Sequence, residues 1–224
     1  MTVAAIILAT RPESLLRDVD GIPNVRRLAD AAWAGGALPI VVVAPDADGA
    51  TAAALAGSAA LLVAPAPEES GPAGQMSRGF DVARSEIEGT DAALLWPAHM
   101  GWVDAETVTS LIEAHGARRA AVFRPAFRGT AGWPALIPAV RIEALRGFDP
   151  ATTPEALLDD LMSEEGDRLI EVGDPGVTHD LDTPPASLPP FEGPPEPASG
   201  SHHEWGSEAA AGPDAAPDPA RRVS

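Results

Sequence analysis

Residues 3–23 read VAAIILATRPESLLRDVDGIP, and the architecture turns on this stretch. The run from Val3 to Ala9 is apolar without alternation. That is the pattern of a strand covered on both faces, and therefore of a parallel sheet with helices on each side. The run stops at Thr10-Arg11-Pro12, where proline has no N–H to offer a ladder. A turn carrying Arg11, Glu13, Arg17 and Asp18 follows. From Asn24 the spacing changes: Val25, Leu28, Ala29, Ala32 and Trp33 share one face of a helix that Gly35-Gly36 closes. Open α/β sheets bind ligands at the carboxyl ends of their strands, so the turn after this first strand is expected to face a ligand.

Working outward, the alternation continues. Strands are predicted at residues 39–44 (PIVVVA), 60–64 (ALLVA), 92–96 (AALLW), 120–123 (AAVF) and 169–172 (LIEV), with a further short one at 135–137. Helices are predicted at 50–56, 75–88, 105–115, 140–145 and 154–163, with Asp104 as N-cap of the third. Residues 65–74 read as a Pro- and Gly-rich loop and 124–132 as a basic loop. Strand–helix alternation at this spacing predicts a three-layer, Rossmann-like α/β domain with a mostly parallel sheet over residues 1–188. Residues 189–224 are dominated by Pro, Gly, Ala, Ser and Glu without an apolar period, and are expected to form a disordered tail.

Composition removes several classes of function. The formal net charge is −18, the opposite of what a nucleic-acid surface requires, although a small nucleotide needs only a few local donors. There is no cysteine, which excludes disulfides, thiolate-bound metals and thiol catalysis. Lysine is absent as well, so all fifteen Lys/Arg cations are arginines. The seven-residue N-terminal apolar run is too short to span a bilayer and no basic region precedes it, so it is expected to be a buried strand of a cytoplasmic protein with no membrane or nucleic-acid partner.

Five stretches bear a family resemblance: the opening strand and turn with Leu15-Leu16 and Gly21-Ile22-Pro23; Gly74-Gln75-Met76-Ser77-Arg78-Gly79-Phe80; residues 94–103 (LLWPAHMGWV); Arg128-Gly129-Thr130-Ala131-Gly132-Trp133-Pro134; and Asp174-Pro175-Gly176-Val177-Thr178-His179-Asp180-Leu181-Asp182-Thr183-Pro184. In this order and spacing the chain resembles the MobA-like nucleotidyltransferases, which include the molybdopterin guanylyl- and cytidylyltransferases. The resemblance implies a Rossmann-like fold, an NTP substrate, Mg²⁺, and transfer of a nucleotidyl group to a phosphorylated acceptor, such as molybdopterin, with release of pyrophosphate.

Carried over residue by residue, the resemblance assigns phosphate contact and catalytic charge neutralisation to Arg11 and Arg17, and nucleotide binding to Thr10, Arg11, Gly74, Gln75, Ser77 and Arg78. It assigns acceptor binding to Arg124, Arg128, Gly132 and Trp133. Metal ligation falls to His99, Asp180 and Asp182, with His99 also a catalytic candidate. The chain departs from the pattern at two places. Thr10-Arg11-Pro12-Glu13 replaces the glycine-rich phosphate loop, and no glycine follows until Gly21. His99 stands where the family has an Asp, and imidazole is a poor ligand for Mg²⁺, so the implied Mg²⁺ site is weak. Simpler readings exist beside these assignments: a solvated turn for the arginines, an Asx turn before Thr183-Pro184 for the two aspartates, core packing for Trp133. Two readings of function therefore stay open. One is a divergent nucleotidyltransferase; the other is a catalytically inactive relative that acts as a binding or scaffold protein, with its acidic tail available to a protein partner.

Overall fold

The computed structural model describes residues 1–9, 11–162 and 168–193. Its centre is β1 (Thr2–Leu8), whose residues 3–8 are at most 3% exposed. β1 pairs in parallel with β4 (Ile40–Val43) on one side and with β6 (Thr90–Pro97) on the other. β5 (Ala60–Val63) extends the sheet beyond β4, again in parallel. Beyond β6 lies β9 (Ala135–Pro138), antiparallel to both of its neighbours, followed by β7 (Phe123–Phe127) and β10 (Arg168–Glu171), which are parallel to each other. The order is β5-β4-β1-β6-β9-β7-β10, with the two-residue β8 (Thr130–Ala131) paired to β7. A small hairpin, β2 (Asp18–Val19) and β3 (Ile22–Pro23), stands apart in the first turn.

Helices cover both faces. α1 (Asn24–Ala34) packs against β1 and β4 and touches both α2 (Ala50–Leu55) and α4 (Ala105–Ala117). α3 (Gly71–Glu86) lies over β1, β4 and β6 and meets α6 (Pro154–Leu161), while α5 (Ala139–Ile142) leans on β6 and β9. The mostly parallel, three-layer α/β domain expected from the alternation is the architecture found. Each buried strand reads as a continuous apolar run because helices shield both of its faces. Among the described residues no helix is long and apolar enough to cross a membrane.

Three boundaries differ from the sequence reading. The strand expected at 120–123 is β7, three residues later. Ala121 is held in a turn by its N–H to the Arg118 carbonyl, and Phe123 is the residue that pairs with Leu136 and Arg168. Arg124 made this segment look like a basic loop, but tertiary pairing overrides that local signal. α3 begins at Gly71, not at Gln75. Pro72 in its first turn loses nothing there, because first-turn N–H groups have no intrahelical acceptor. Gly71 has φ +60°, and a Cβ on it would run into the Pro150 carbonyl, so the loop-like Gly-Pro pair is a helix start pressed against another segment. Finally, residues 189–193 of the expected disordered tail belong to the fold: Glu192 donates its N–H to the Gly173 carbonyl at 2.9 Å. The rest of that expectation, residues 194–224, lies outside the described residues.

One core residue makes stability pH-dependent. His115 on α4 is fully buried and neither ring nitrogen has a hydrogen-bond partner. Burial is the main cause that lowers its pKa below 6.5, with Arg119 adding to the effect and Asp91 opposing it. A lowered folded pKa means that this histidine's contribution is intact above the unfolded value and is lost as pH falls below about 6.5 and through the folded value. Urea midpoints measured from pH 8 to pH 5 are expected to fall on the acid side, and His115→Leu to flatten that fall; an unchanged slope would exclude His115 as the cause.

Candidate functional site

Three loops meet at the carboxyl ends of the central strands. The first leaves β1 at Ala9 and makes one 3₁₀ turn, Pro12–Ser14, anchored by the buried Ser14 hydroxyl, which donates to the Arg11 carbonyl at 2.7 Å. The second leaves β6 at Pro97 and carries His99. The third runs from Asp174 to Pro184 and is drawn in by Leu181, whose N–H donates to the His99 carbonyl at 2.9 Å. Trp102 adds a second tie, its Nε1 donating to the Asp180 carbonyl at 2.8 Å.

Charges far apart in sequence meet here. Arg11 Nη1 lies 3.3 Å from Asp180 Oδ2 and 3.1 Å from Asp182 Oδ2; Arg17 Nη1 lies 3.0 Å from Asp182 Oδ1. The residues proposed for phosphate are thus paired with those proposed for metal. The Asp182 side chain is 70% exposed and both arginines are nearly half exposed, so each pair contributes only about 0.2–1 kcal/mol. Asp180 also closes an Asx turn, its Oδ1 accepting the Asp182 N–H at 3.0 Å, while Thr183 donates to its carbonyl. His99 is half-buried; burial first, then Arg11, lowers its pKa, with Asp180, Glu155 and Asp182 pulling the other way.

Beside this cluster is a cavity of about 800 Å³, walled by the strand ends Leu8, Val43 and Pro97 and by Met76 and Gln75 of α3. Six prolines line it (Pro12, Pro45, Pro65, Pro72, Pro97 and Pro154), and proline offers no N–H. Gln75 has both ends of its amide engaged by the Ala66 backbone, at 2.8 and 2.9 Å. Among the described residues, Glu68 is the one charged residue on the wall. The cavity is apolar, with the arginine–aspartate cluster following Pro12 at its edge.

The remaining expected site residues are divided. Thr10 lies outside the described residues. Gln75 borders the cavity, whereas Gly74, Ser77 and Arg78 border a separate hollow. The sequence reading placed Gln75, Ser77 and Arg78 at a helix start and Gly74 in the loop before it; in the structure all four belong to α3, which begins at Gly71. Arg124 belongs to β7, is 9% exposed, donates from Nε to the Gly132 carbonyl at 3.2 Å, and lies 5.7 Å from the Trp133 ring. Trp133 is 6% exposed and part of the core. Gly132 admits no Cβ, because the Val177 carbonyl is packed against it. Arg128, exposed at a positive-φ turn, covers the Phe127 ring and pairs with Glu192. As placed, Gly132 and Trp133 pack on Val177 of the 174–184 loop, Arg128 pairs with Glu192, and Arg124 holds the Gly132 carbonyl.

Two residues at the centre were given no role by the sequence reading, although Asp174 opens the fifth of the family-like stretches. Asn24 is fully buried, and its Nδ2 donates to the Ser14 carbonyl at 3.0 Å and the Ala98 carbonyl at 2.7 Å, clamping the first loop to the second. Asp174 is 2% exposed. Its carboxylate accepts from Asp104 N–H, the Thr107 hydroxyl and Gly176 N–H at 2.7–2.9 Å, fixing the third loop to the start of α4.

The chain's likeness to known proteins agrees with this geometry. The MobA-like NTP transferase domain model matches residues 11–166, well over half of the 224. The chain belongs to that family. Among solved structures, this MobA-like protein is similar to Rv0371c from Mycobacterium tuberculosis H37Rv in complex with manganese (17% identity, 76% of this chain and 88% of that one, TM-score 0.59). It is also similar to a nucleotidyl transferase from Methanothermobacter (20%, 76% and 87%, 0.58) and to 2-C-methyl-D-erythritol 4-phosphate cytidylyltransferase from Thermus thermophilus (16%, 84% and 96%, 0.58). At these identities the likeness is one of fold. No curated protein sequence matches the chain.

The family implies a divalent metal, and the residues present do not fit one as they stand. Among the described residues no group of three or more His, Asp or Glu is arranged to hold a metal ion. Asp180 and Asp182 spend their oxygens on arginines and on the Asx turn, and His99 offers an imidazole nitrogen where Mg²⁺ prefers a carboxylate oxygen.

The two kinds of aspartate are expected to behave differently. Asp174→Ala leaves three donors without an acceptor, and is expected to cost roughly 2–4 kcal/mol in urea unfolding. Asp182→Ala removes exposed pairs alone and is expected to cost less than about 1 kcal/mol. Equal losses would contradict the division between a structural and a ligand-facing carboxylate.

Proposed function

We propose that this protein is a divergent nucleotidyltransferase that takes the base and sugar of an NTP in the apolar cavity and its phosphates at Arg11 and Arg17. The observation that carries this reading is the convergence of Arg11, Arg17, His99, Asp180 and Asp182 beside a cavity of about 800 Å³ at the strand ends. That volume is within the usual range of about 300–1,000 Å³ for small-molecule sites. The arginine–aspartate pairs are exposed and weak enough for a polyphosphate to displace the carboxylates from the guanidinium groups. In the transfer, an oxygen of a phosphorylated small-molecule acceptor attacks the α-phosphorus and the bond to the departing pyrophosphate breaks. Molybdopterin is one acceptor of that type. The protein's part is to position the two reactants and to neutralise charge at Arg11 and Arg17. No step is assigned to a metal.

A second reading has its own support. With no glycine N–H cradle after β1, with His99 at the position of the family Asp, and with the site's charges paired internally, the chain equally suits a catalytically inactive relative that binds a ligand or partner. Thermal shift and calorimetry with each of the four NTPs, alone and with Mg²⁺ or Mn²⁺, followed by a pyrophosphate-release assay, separate the two. The enzyme reading expects stabilisation by one NTP that Arg11→Ala and Arg17→Ala abolish, together with pyrophosphate release. Binding without release points to the inactive relative, and no shift at millimolar NTP removes the nucleotide from both.

The His99 substitution gives a further test. His99→Asp puts a third carboxylate near Asp180 and Asp182, and is expected to raise the affinity for Mn²⁺ or Mg²⁺ in calorimetry. Unchanged metal affinity would show that His99 does not occupy the metal position.

A further inference from the structure

The two aspartates beside the arginines are held in different ways. Asp180 is fixed through both backbone and side chain. Its carbonyl accepts Trp102 Nε1 at 2.8 Å and the Thr183 N–H at 3.0 Å, and the next residue, Leu181, donates to the His99 carbonyl at 2.9 Å. Its Oδ1 accepts the Asp182 N–H at 3.0 Å, which leaves Oδ2 for Arg11 Nη1, 3.3 Å away. The Asp180 side chain is 28% exposed and that of Asp182 70%. Among the described residues the Asp182 carboxylate meets only the two guanidinium groups: Arg11 through Oδ2 at 3.1 Å and Arg17 through Oδ1 at 3.0 Å.

The arginines divide accordingly. Arg11 is anchored at its backbone, where its carbonyl accepts the N–H and the hydroxyl of Ser14 at 2.9 and 2.7 Å, and Asp180 restrains its side chain from the other end. Both ion pairs of Arg11 use Nη1, so the rest of the guanidinium keeps its donors for an anion. Arg17 has Asp182 as its one ion-pair partner among the described residues. A carboxylate on a fixed support orients the cation it touches. A carboxylate with no other attachment takes up donors that an arriving phosphate needs.

We propose that Asp180 is a positioning residue that orients Arg11 toward the phosphates, and that Asp182 is a built-in competitor that holds Arg17 until a polyphosphate displaces it. The inference rests on the reading that places the phosphates at Arg11 and Arg17. It departs from the family expectation, in which both aspartates serve one metal ion. Here the two carboxylates act on phosphate binding with opposite sign, and no metal is needed for either effect.

Calorimetry of the full-length protein with sodium pyrophosphate tests both roles, at a fixed ionic strength of about 0.15 M and in buffer stripped of divalent cations. Asparagine variants remove the charge and keep the shape, and Asp180→Asn keeps an oxygen for the Asx turn. Asp182→Asn is expected to tighten pyrophosphate severalfold, with most of that gain lost in an Arg17→Ala background. Asp180→Asn is expected to weaken it severalfold, and that loss to vanish in an Arg11→Ala background. A loss that persists without Arg11 comes from the loop and overturns the positioning role; a gain undiminished without Arg17 overturns the competitor role. Changes of the same sign in the two asparagine variants, or losses in both that appear only when Mn²⁺ is added, overturn the proposal while leaving the phosphates at Arg11 and Arg17. Parental affinity in both Arg11→Ala and Arg17→Ala, or no saturable binding up to about 10 mM, overturns it together with the nucleotide reading beneath it.

Discussion

Strand β1 sets the geometry of the site. It runs mid-sheet with parallel partners on both edges and helices on both faces, so every backbone group and side chain along residues 3–8 is enclosed. The pairing continues past the strand itself: Ala9 donates to the Val43 carbonyl, and the Leu8 carbonyl accepts from Ala98. The chain therefore leaves β1 and β6 side by side. Arg11 and His99, far apart in the chain, emerge as neighbours for that reason alone. Asn24 locks the two exits together, and Leu181 brings the third loop to the second through the His99 carbonyl.

Once those loops are fixed, electrostatics decides what the site looks like without ligand. Two guanidinium groups and two carboxylates close on each other at 3.0–3.3 Å and cancel. Because the pairs are exposed, they are weak, and a more highly charged ligand competes with them readily. The apolar cavity beside them is of a different character, with proline walls and one glutamate. A ligand that fits both regions has an uncharged body and a charged end, which is the build of a nucleotide. The buried Asp174 belongs to another category. Burial raises its pKa, three hydrogen bonds work against that, and its task is to hold the 174–184 loop on α4.

Much of this was visible in the chain itself. The unbroken apolar runs at β1, β4 and β6 announce parallel, doubly covered strands, and Asp104 caps α4 as its position suggests, accepting the Glu106 N–H at 3.0 Å. The family-like stretch around Asp180 and Asp182 lies beside Arg11 and Arg17 in the structure. Other segments misled. Arg124 disguised a strand because a buried arginine is rare, and only the Gly132 carbonyl, the Trp133 ring and the nearby Asp159 make it tolerable. Gly71-Pro72-Ala73-Gly74 resembled a loop because its helical role depends on the fit against Pro150, which no local pattern records.

Sequence by itself determined the layer architecture, the order of strands and helices and the membership in the MobA-like family, because these rest on periodicity and on short motifs that act within a few residues. Tertiary structure alone decided which charges neutralise which, that Gln75 and Arg78, one turn apart on α3, border two separate hollows, and that Trp133 and Arg124 are buried. Arg11 and Asp180 are 169 residues apart, so their pairing depends on where the sheet delivers each loop. Coulomb attraction acts over a few ångströms in space, and nothing in the local spacing of residues encodes that distance.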